Sequence, residues 1–338
     1  MSQALAAQKD VRSLAQQLKE RKVRIAVVGD IILDNAIEAA PHGTHPEFKI
    51  PILGDASTQE SIGGAANIAL ALARLGVDVS LFGIIGSDLP GRQLENLLDR
   101  QSFPHYLITE RGWPTPRKDW LFHREEGQVR LVLRVDYDRP VPAAAREELV
   151  AEFRVRSPSK VDVVLLADHG IGSIGPESLA LVGLAKERGA KIVAITRSTI
   201  LRGHPLDALV VNATEMRRLA NASEGADCKQ VAARYAREQQ QTVCLTLFEE
   251  GMEIFPAGGK GDVLHVAGYP IERSDWMGAR DITAALLAVG LGLQLPMSTV
   301  AKATMVFRHL VAATRGNGRV TWPDVFRFVG LEEHHAAI

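Results

Sequence analysis

Apolar positions along the chain fall into blocks of two different periods. The opening stretch, Met1 to Arg24, reads as an Ala/Leu/Gln helix pattern salted with charge. Arg24-Ile-Ala-Val-Val-Gly-Asp30 is a continuous β-branched run ending in Gly-Asp, which predicts a buried strand whose C-terminal end opens a loop. A polar, proline-containing stretch follows from Asn35 to Ser61. Ile62 to Gly76 then reads as a glycine turn, an Ala/Leu helix and a glycine cap. Val77 to Ile85 predicts a strand and Gly91 to Arg100 a helix.

From Trp113 to Asp138 the period changes to two: Trp120, Phe122, Val129, Leu131, Leu133 and Val135 alternate with polar residues, as in a half-exposed antiparallel pair. From Val161 the chain returns to strand–helix alternation. Strands are expected at Val161–Ala167, Lys191–Ile195, Ala208–Asn212 and Val243–Leu247, with helices near Glu177–Arg188, from Glu215 and around Lys229–Gln239. The last third predicts strands at Glu253–Phe255 and Val263–Ala267 and helices at about Arg280–Leu293 and Met297–Arg315. This alternation predicts an α/β fold, a doubly wound and mostly parallel sheet with helices on both faces. The polar segments, about 35–61 and 113–138, leave no room for a second core; they are expected to pair as a small β-sheet lid over one edge of a single domain.

Composition narrows the function. Lys plus Arg (39) nearly balance Asp plus Glu (40), so a net charge of −1 gives no long-range field toward nucleic acid or an anionic membrane. An anionic ligand must be held by local groups, and a small molecule is the expected partner. The two cysteines, Cys228 and Cys244, read as core thiols of a reducing compartment. With no apolar leader and no membrane-spanning run, a cytoplasmic location is expected. The ten histidines show no zinc spacing, His42 and His45 lying in the lid and His334 and His335 in a polar tail. No Gly-x-x-x-x-Gly-Lys-Ser/Thr loop occurs.

In a doubly wound sheet, ligands bind beyond the C-terminal ends of the strands. Asp30 and Asp34 put two carboxylates there, suited to polyol hydroxyls or to capping a helix. Gly63-Gly64-Ala65-Ala66-Asn67 lets a ligand approach the backbone and adds a two-way amide, or is an ordinary glycine turn. Gly278-Ala279-Arg280-Asp281 places an Asp and small residues at a helix N-terminus, where unpaired N–H groups can hold developing phosphate charge while the carboxylate accepts a proton; the same Asp can simply stabilise its helix. Asn212 and Glu215, one helical turn apart after a strand, suit water-mediated Mg²⁺ binding or a capping box.

In order, these pieces resemble the ribokinase-like, or PfkB, carbohydrate kinases, from Val23 to about Val329. Within that family the likeness is to D-glycero-β-D-manno-heptose 7-phosphate kinases. It rests on Val28-Gly-Asp-Ile-Ile-Leu-Asp34, His45-Pro-Glu-Phe-Lys-Ile-Pro-Ile52, Gly63-Gly-Ala-Ala-Asn67, Gly86-Ser-Asp88 with Gly91, Thr115 to Lys118, and Leu133-Arg-Val-Asp136. The resemblance implies Asp281 as general base, the N–H groups of Gly278, Ala279, Arg280 and Asp281 as anion hole, and Asn212 and Glu215 organising Mg²⁺. It puts Asp30, Asp34, Gly63, Gly64, Asn67, Lys118, Arg134 and Asp136 on the sugar, and Asn212, Glu215, Thr246 and Gly251 on ATP. It also implies a homodimer clasped through the lid.

Several positions depart from that pattern. Arg280 replaces the second glycine of Gly-Ala-Gly-Asp; Asp168-His-Gly-Ile-Gly172 lacks the lysine of Asp-Tyr-Gly-Lys-Gly; Ala194-Ile-Thr-Arg197 replaces Val-Asp-Pro-Lys. Phe248 stands at the first glycine of a Thr-x-Gly-x-x-Gly motif. The expectation is therefore an ATP- and Mg²⁺-dependent kinase of a sugar or sugar phosphate. The alternatives are a catalytically impaired relative that binds a sugar phosphate or protein partner as sensor or scaffold, and a kinase with a different phosphoryl donor rebuilt around Arg197 and Arg280.

Overall fold

The computed structural model describes residues 2–125, 128–271, 277–314 and 320–331. His334, His335 and Arg315, the expected end of the last long helix, lie outside the described residues. In chain order the elements are α1 (Ser2–Ala6), α2 (Gln8–Glu20), β1 (Arg24–Thr44), β2 (Pro51–Gly64), α3 (Ala65–Arg74), β3 (Asp78–Gly86), α4 (Leu89–Leu98), β4 (His105–Glu110), β5 (Arg117–Glu125) and β6 (Gln128–Tyr137). There follow α5 (Ala143–Arg156), β7 (Val163–Asp168), α6 (Ala180–Glu187), β8 (Lys191–Thr196), β9 (Ala208–Asn212), α7 (Ala213–Ala220), α8 (Cys228–Gln239), β10 (Thr242–Thr246), β11 (Gly251–Phe255), β12 (Leu264–Ala267), α9 (Ala279–Gly292), α10 (Met297–Ala313) and α11 (Trp322–Phe328).

The main sheet has the order β12-β11-β10-β9-β8-β7-β1-β3-β4. It is parallel from β10 to β4, and β11 and β12 close one edge antiparallel. Because both faces of the parallel strands are covered, they are apolar along most of their length: β7 is buried at every position and polar only at its last residue, Asp168. One face packs residues of α3, α9 and α10, such as Ile68, Leu286 and Phe307; the other packs α5, α6, α7 and α8 through Phe153, Leu181, Met216 and Tyr235. The expected α/β class, a mostly parallel sheet with helices on both faces, is the one observed.

The first strand differs from expectation in a way that defines the site. β1 does not end at Asp30. It pairs with β3 as far as Asp30↔Ile84, then continues and pairs with β2 from Ile31↔Gly64 and with β5 from Leu33↔Arg117. The apolar run ends near Asp34, but no residue before Pro41 opposes extended backbone, and the register shifts fall at Glu38/Ala40 and Pro41/Gly43. One strand is thus shared by the main sheet and by the lid formed from outer β1, β2, β5 and β6. Gly63 and Gly64 accordingly end a strand rather than form a free turn. Gly64 sits at φ 61, and a Cβ there would lie 2.2 Å from the Asp30 carbonyl oxygen, so only glycine fits.

Three elements, β4, α5 and α11, stand outside the expected pattern. β4 is a short edge strand with little burial, and α5 presents Ala145, Leu149, Val150 and Phe153 from an otherwise charged sequence. Both cysteines are unpaired, Cys244 buried with its thiol pushed up to about 12 by desolvation. No helix among the described residues is long and apolar enough to cross a membrane.

Candidate active site

The C-terminal ends of β7, β8, β9 and β10 and the middle of β1 bring Asp168, Thr196, Asn212, Thr246 and Asp30 to one edge of the sheet, where α9 begins. Asp30 is fully buried. Its carboxylate accepts the backbone N–H groups of His169 (2.8 Å), Ile171 (3.0 Å) and Ser173 (2.8 Å). Burial and the nearby Asp168 hold its pKa above the ordinary value despite those bonds. Asp30 therefore holds the loop after β7 in place through both of its carboxylate oxygens. Asp168 fixes the other side of that loop: it accepts from the Thr196 hydroxyl (2.5 Å), the Ser198 hydroxyl (2.5 Å) and the Gly170 N–H (2.8 Å).

α9 starts at Gly278, whose φ of 73 is a left-handed conformation suited to glycine; no side chain caps the helix there. Asp281 lies in its first turn, buried, with Oδ2 accepting from Asn67 Nδ2 at 2.8 Å. Desolvation raises its pKa, against the lowering effects of Asn67, Arg280 and Arg197. A raised carboxyl at a helix N-terminus beside two guanidinium groups is a proton acceptor in a field that also favours anions.

Arg280, in the first turn of α9, pairs with Glu215. Arg197, at the end of β8, approaches the same carboxylate at 3.8 Å. Asn212 and Glu215 form the full capping box of α7, Asn212 Oδ1 accepting from Glu215 N and Glu215 Oε2 accepting from Asn212 N, each at 2.9 Å. Of the two uses open to this pair, capping is thus in place. Both carboxylate oxygens are engaged and two cations face them, so the pair does not fit Mg²⁺ as arranged. Among the described residues no group of three or more His, Cys, Asp and Glu could hold a metal ion.

On the expected nucleotide side, the Thr246 hydroxyl donates to the Val211 carbonyl at 3.3 Å. Gly251 has its own structural reason: at φ 105 a Cβ would lie 2.1 Å from the Val266 carbonyl oxygen across the β11–β12 pair. Phe248 adopts φ 48, a backbone region that favours glycine, and its side chain is 59% exposed rather than filling the sheet edge.

The lid base carries the remaining expected residues. Lys118 is buried, with Nζ 3.1 Å from Asp136 and 3.0 Å from Asp138; Asp136 also pairs with Arg134 at 2.7 Å. Arg134 stacks over Trp120, 5.0 Å from the ring centroid, and Trp120 Nε1 donates to Asp34 at 2.9 Å. A Cβ on Gly63 would lie 2.1 Å from Asp34 Oδ2, so that glycine makes room for the carboxylate. Asp138 and Trp120 were not singled out by spacing; Trp120 shows only as one apolar beat of an alternating strand. His169, 3.9 Å from Asp281, is a third residue that pattern alone did not assign, its one signal being a polar residue directly after a buried strand.

A mostly parallel sheet wound on both faces, with a β lid grown from its first strand, is the ribokinase-like fold. Structural comparison agrees. Phosphofructokinase-2 from Escherichia coli in complex with substrates and products has a TM-score of 0.71 at 15% identity, covering 92% of this chain and 99% of that one. An Agrobacterium tumefaciens protein described as a ribokinase has a TM-score of 0.68 at 18% identity, covering 92% and 98%. Residues 22–132 match the model of the pfkB family of carbohydrate kinases. Among curated proteins, the chain is similar to the bifunctional protein HldE of Rhodopseudomonas palustris, 28% identical over 312 residues, and to that of Coxiella burnetii, 26% over 309 residues. These alignments cover 90% of this chain but 62% and 63% of the relatives, so the chain spans about three-fifths of their length.

Proposed function

We propose that the protein is an ATP-dependent kinase of a sugar phosphate of the heptose 7-phosphate kind. The observation that carries this reading is Asp281: a buried carboxylate at the start of α9, oriented by Asn67, with its pKa raised and cationic residues beside it. In the reaction the acceptor oxygen bonds to the γ-phosphorus of ATP, the bond to the ADP oxygen breaks, and the acceptor proton passes to Asp281. Such a transfer requires in-line positioning and neutralisation of phosphate oxygens more than covalent chemistry. The N–H groups at the start of α9 supply part of that charge, and Arg280 and Arg197 supply the rest. ATP ordinarily comes with Mg²⁺, which neutralises phosphate charge, but no step is assigned through Asn212 and Glu215.

Lys118, Arg134 and Asp136 at the lid base would face the sugar, with Asn67 and the Gly63-Gly64 backbone on the other side. The exposed lid supports a homodimer. Leu131, Leu133 and Val135 alternate as if one face were covered, yet they stand exposed in the single chain, which leaves that face for a second copy. The cytoplasm is the proposed location. The test is sugar-phosphate-dependent ADP release by the wild type, with a loss of roughly a hundredfold or more in Asp281→Asn; equal rates in the two proteins refute Asp281 as base.

A second reading, a sugar-phosphate sensor without turnover, is favoured by one observation: Arg280 already neutralises Glu215, with no nucleotide needed. Calorimetry separates the two. Tight binding of ATP or its non-hydrolysable analogue supports the kinase, and absence of binding supports the sensor.

A further inference from the structure

His169 lies in the loop after β7 that the carboxylates of Asp30 and Asp168 hold in place. Asp30 accepts its backbone N–H, and Asp168, the residue before it, is tied to Thr196 and Ser198. The imidazole that results is buried, and its Nε2 makes no hydrogen bond among the described residues. A buried ring nitrogen without a partner is costly, so such an atom marks a place where a ligand completes the bonding. It faces Asp281 Oδ1 at 3.9 Å, while the other oxygen of Asp281 accepts from Asn67.

That separation is too long for a direct hydrogen bond and has a specific geometry. An oxygen about 2.8 Å from both atoms would sit at the apex of a triangle with an angle of roughly 90°, a natural angle between the donor and acceptor directions of a hydroxyl. We propose that His169 is a further catalytic residue: its Nε2–H donates to the acceptor oxygen whose own proton goes to Asp281 Oδ1. The donor then holds the negative charge that builds on that oxygen as it attacks, and nothing is transferred to or from the imidazole. Burial and the cations Arg197, Arg280 and Lys118 keep the ring neutral well below its ordinary pKa, so it carries one N–H at neutral pH. Asp281 is the anionic group facing it, from α9.

This inference rests on the kinase reading, and its test separates the two. In His169→Leu, kcat with D-glycero-β-D-manno-heptose 7-phosphate is expected to fall by about 10- to 100-fold with the KM for ATP little changed. His169→Gln, which restores an N–H donor, should recover a large part of the loss. Unaltered kcat in His169→Leu overturns the proposal, as does failure of His169→Gln to exceed it while both variants melt like the wild type. A second readout needs no turnover. The ¹⁵N resonances of His169 should show a proton on Nε2 and shift when the same heptose phosphate is added, with Asp281→Asn used to block reaction. An unprotonated or unresponsive Nε2 overturns it. If the wild type releases no ADP, the kinase reading fails, whereas the ¹⁵N result still decides whether His169 meets a sugar hydroxyl.

Discussion

Replacing Arg280 with glycine, the residue that the resemblance places there, asks whether the guanidinium serves the reaction or obstructs it. The side chains of Arg280 and Glu215 are 15% and 7% exposed, so solvent screens their pair little. Losing a charge-assisted hydrogen bond of this kind costs roughly 1.5–3 kcal/mol. Glycine in a helical turn adds about 0.5–1 kcal/mol. The 3–5 kcal/mol penalty (roughly) for stranding a buried charge does not apply, since Glu215 keeps Arg197 at 3.8 Å and the Asn212 N–H at 2.9 Å. The sum is about 2–4 kcal/mol, which at about 2 °C per kcal/mol for a chain of this size lowers Tm by roughly 4–8 °C. If Arg280 carries phosphoryl charge, kcat falls by about 10²–10³-fold, and Arg280→Lys recovers part of it. The assay is coupled ADP release at saturating ATP, alongside a melting curve. A rate in Arg280→Gly equal to or above wild type refutes the assignment and makes Arg280 a plug.

Asp281→Asn should also be more thermostable than the wild type at neutral pH. Because the folded pKa of Asp281 is raised, its favourable contribution is complete below the unfolded value and is lost as pH rises through the folded one. The difference in Tm between variant and wild type should therefore shrink on acidification; a constant difference argues against it. For the same reason the acid limb of kcat should lie above an ordinary Asp, as a pH–rate profile would reveal. Asp30→Ala strands the N–H groups of His169, Ile171 and Ser173, at roughly 1–3 kcal/mol each, and should lower Tm strongly; a neutral result on denaturation contradicts the clamp. Leu133→Lys, on the exposed lid face, should convert a dimer to a monomer in sedimentation without lowering Tm, and an unchanged mass removes the lid from the interface.

The sheet was legible because parallel strands buried on both faces must be apolar along their length, as in β7 and β8. β4 and α5 are not legible in the sequence, since a half-exposed edge strand and a helix rich in charge give weak periods. The end of β1 is hidden for a related reason: the apolar run stops where the strand leaves the main core, while the backbone continues into the lid. At the site, motif order brought Asn67 and Asp281 to attention 214 residues apart, and they meet at 2.8 Å. Glu215 was harder to read, because the same Asn-x-x-Glu spacing serves a capping box and a metal pair, and only the arrival of Arg280 and Arg197 from distant segments separates them. The position of His169 depends on Asp30, 139 residues earlier, and no local pattern encodes such a contact.

The continuity of β1 has a mechanical consequence. Asp30, which clamps the loop after β7, and Asp34, which holds Trp120 of the lid, lie on one face of a single strand, about 13 Å apart at 3.3 Å per residue. A paired strand hardly stretches, so the lid can twist or tilt over the site but cannot slide along it. The strand acts as a ruler, and the length of any ligand that fits beneath the lid is set by the backbone, before any side chain selects among ligands.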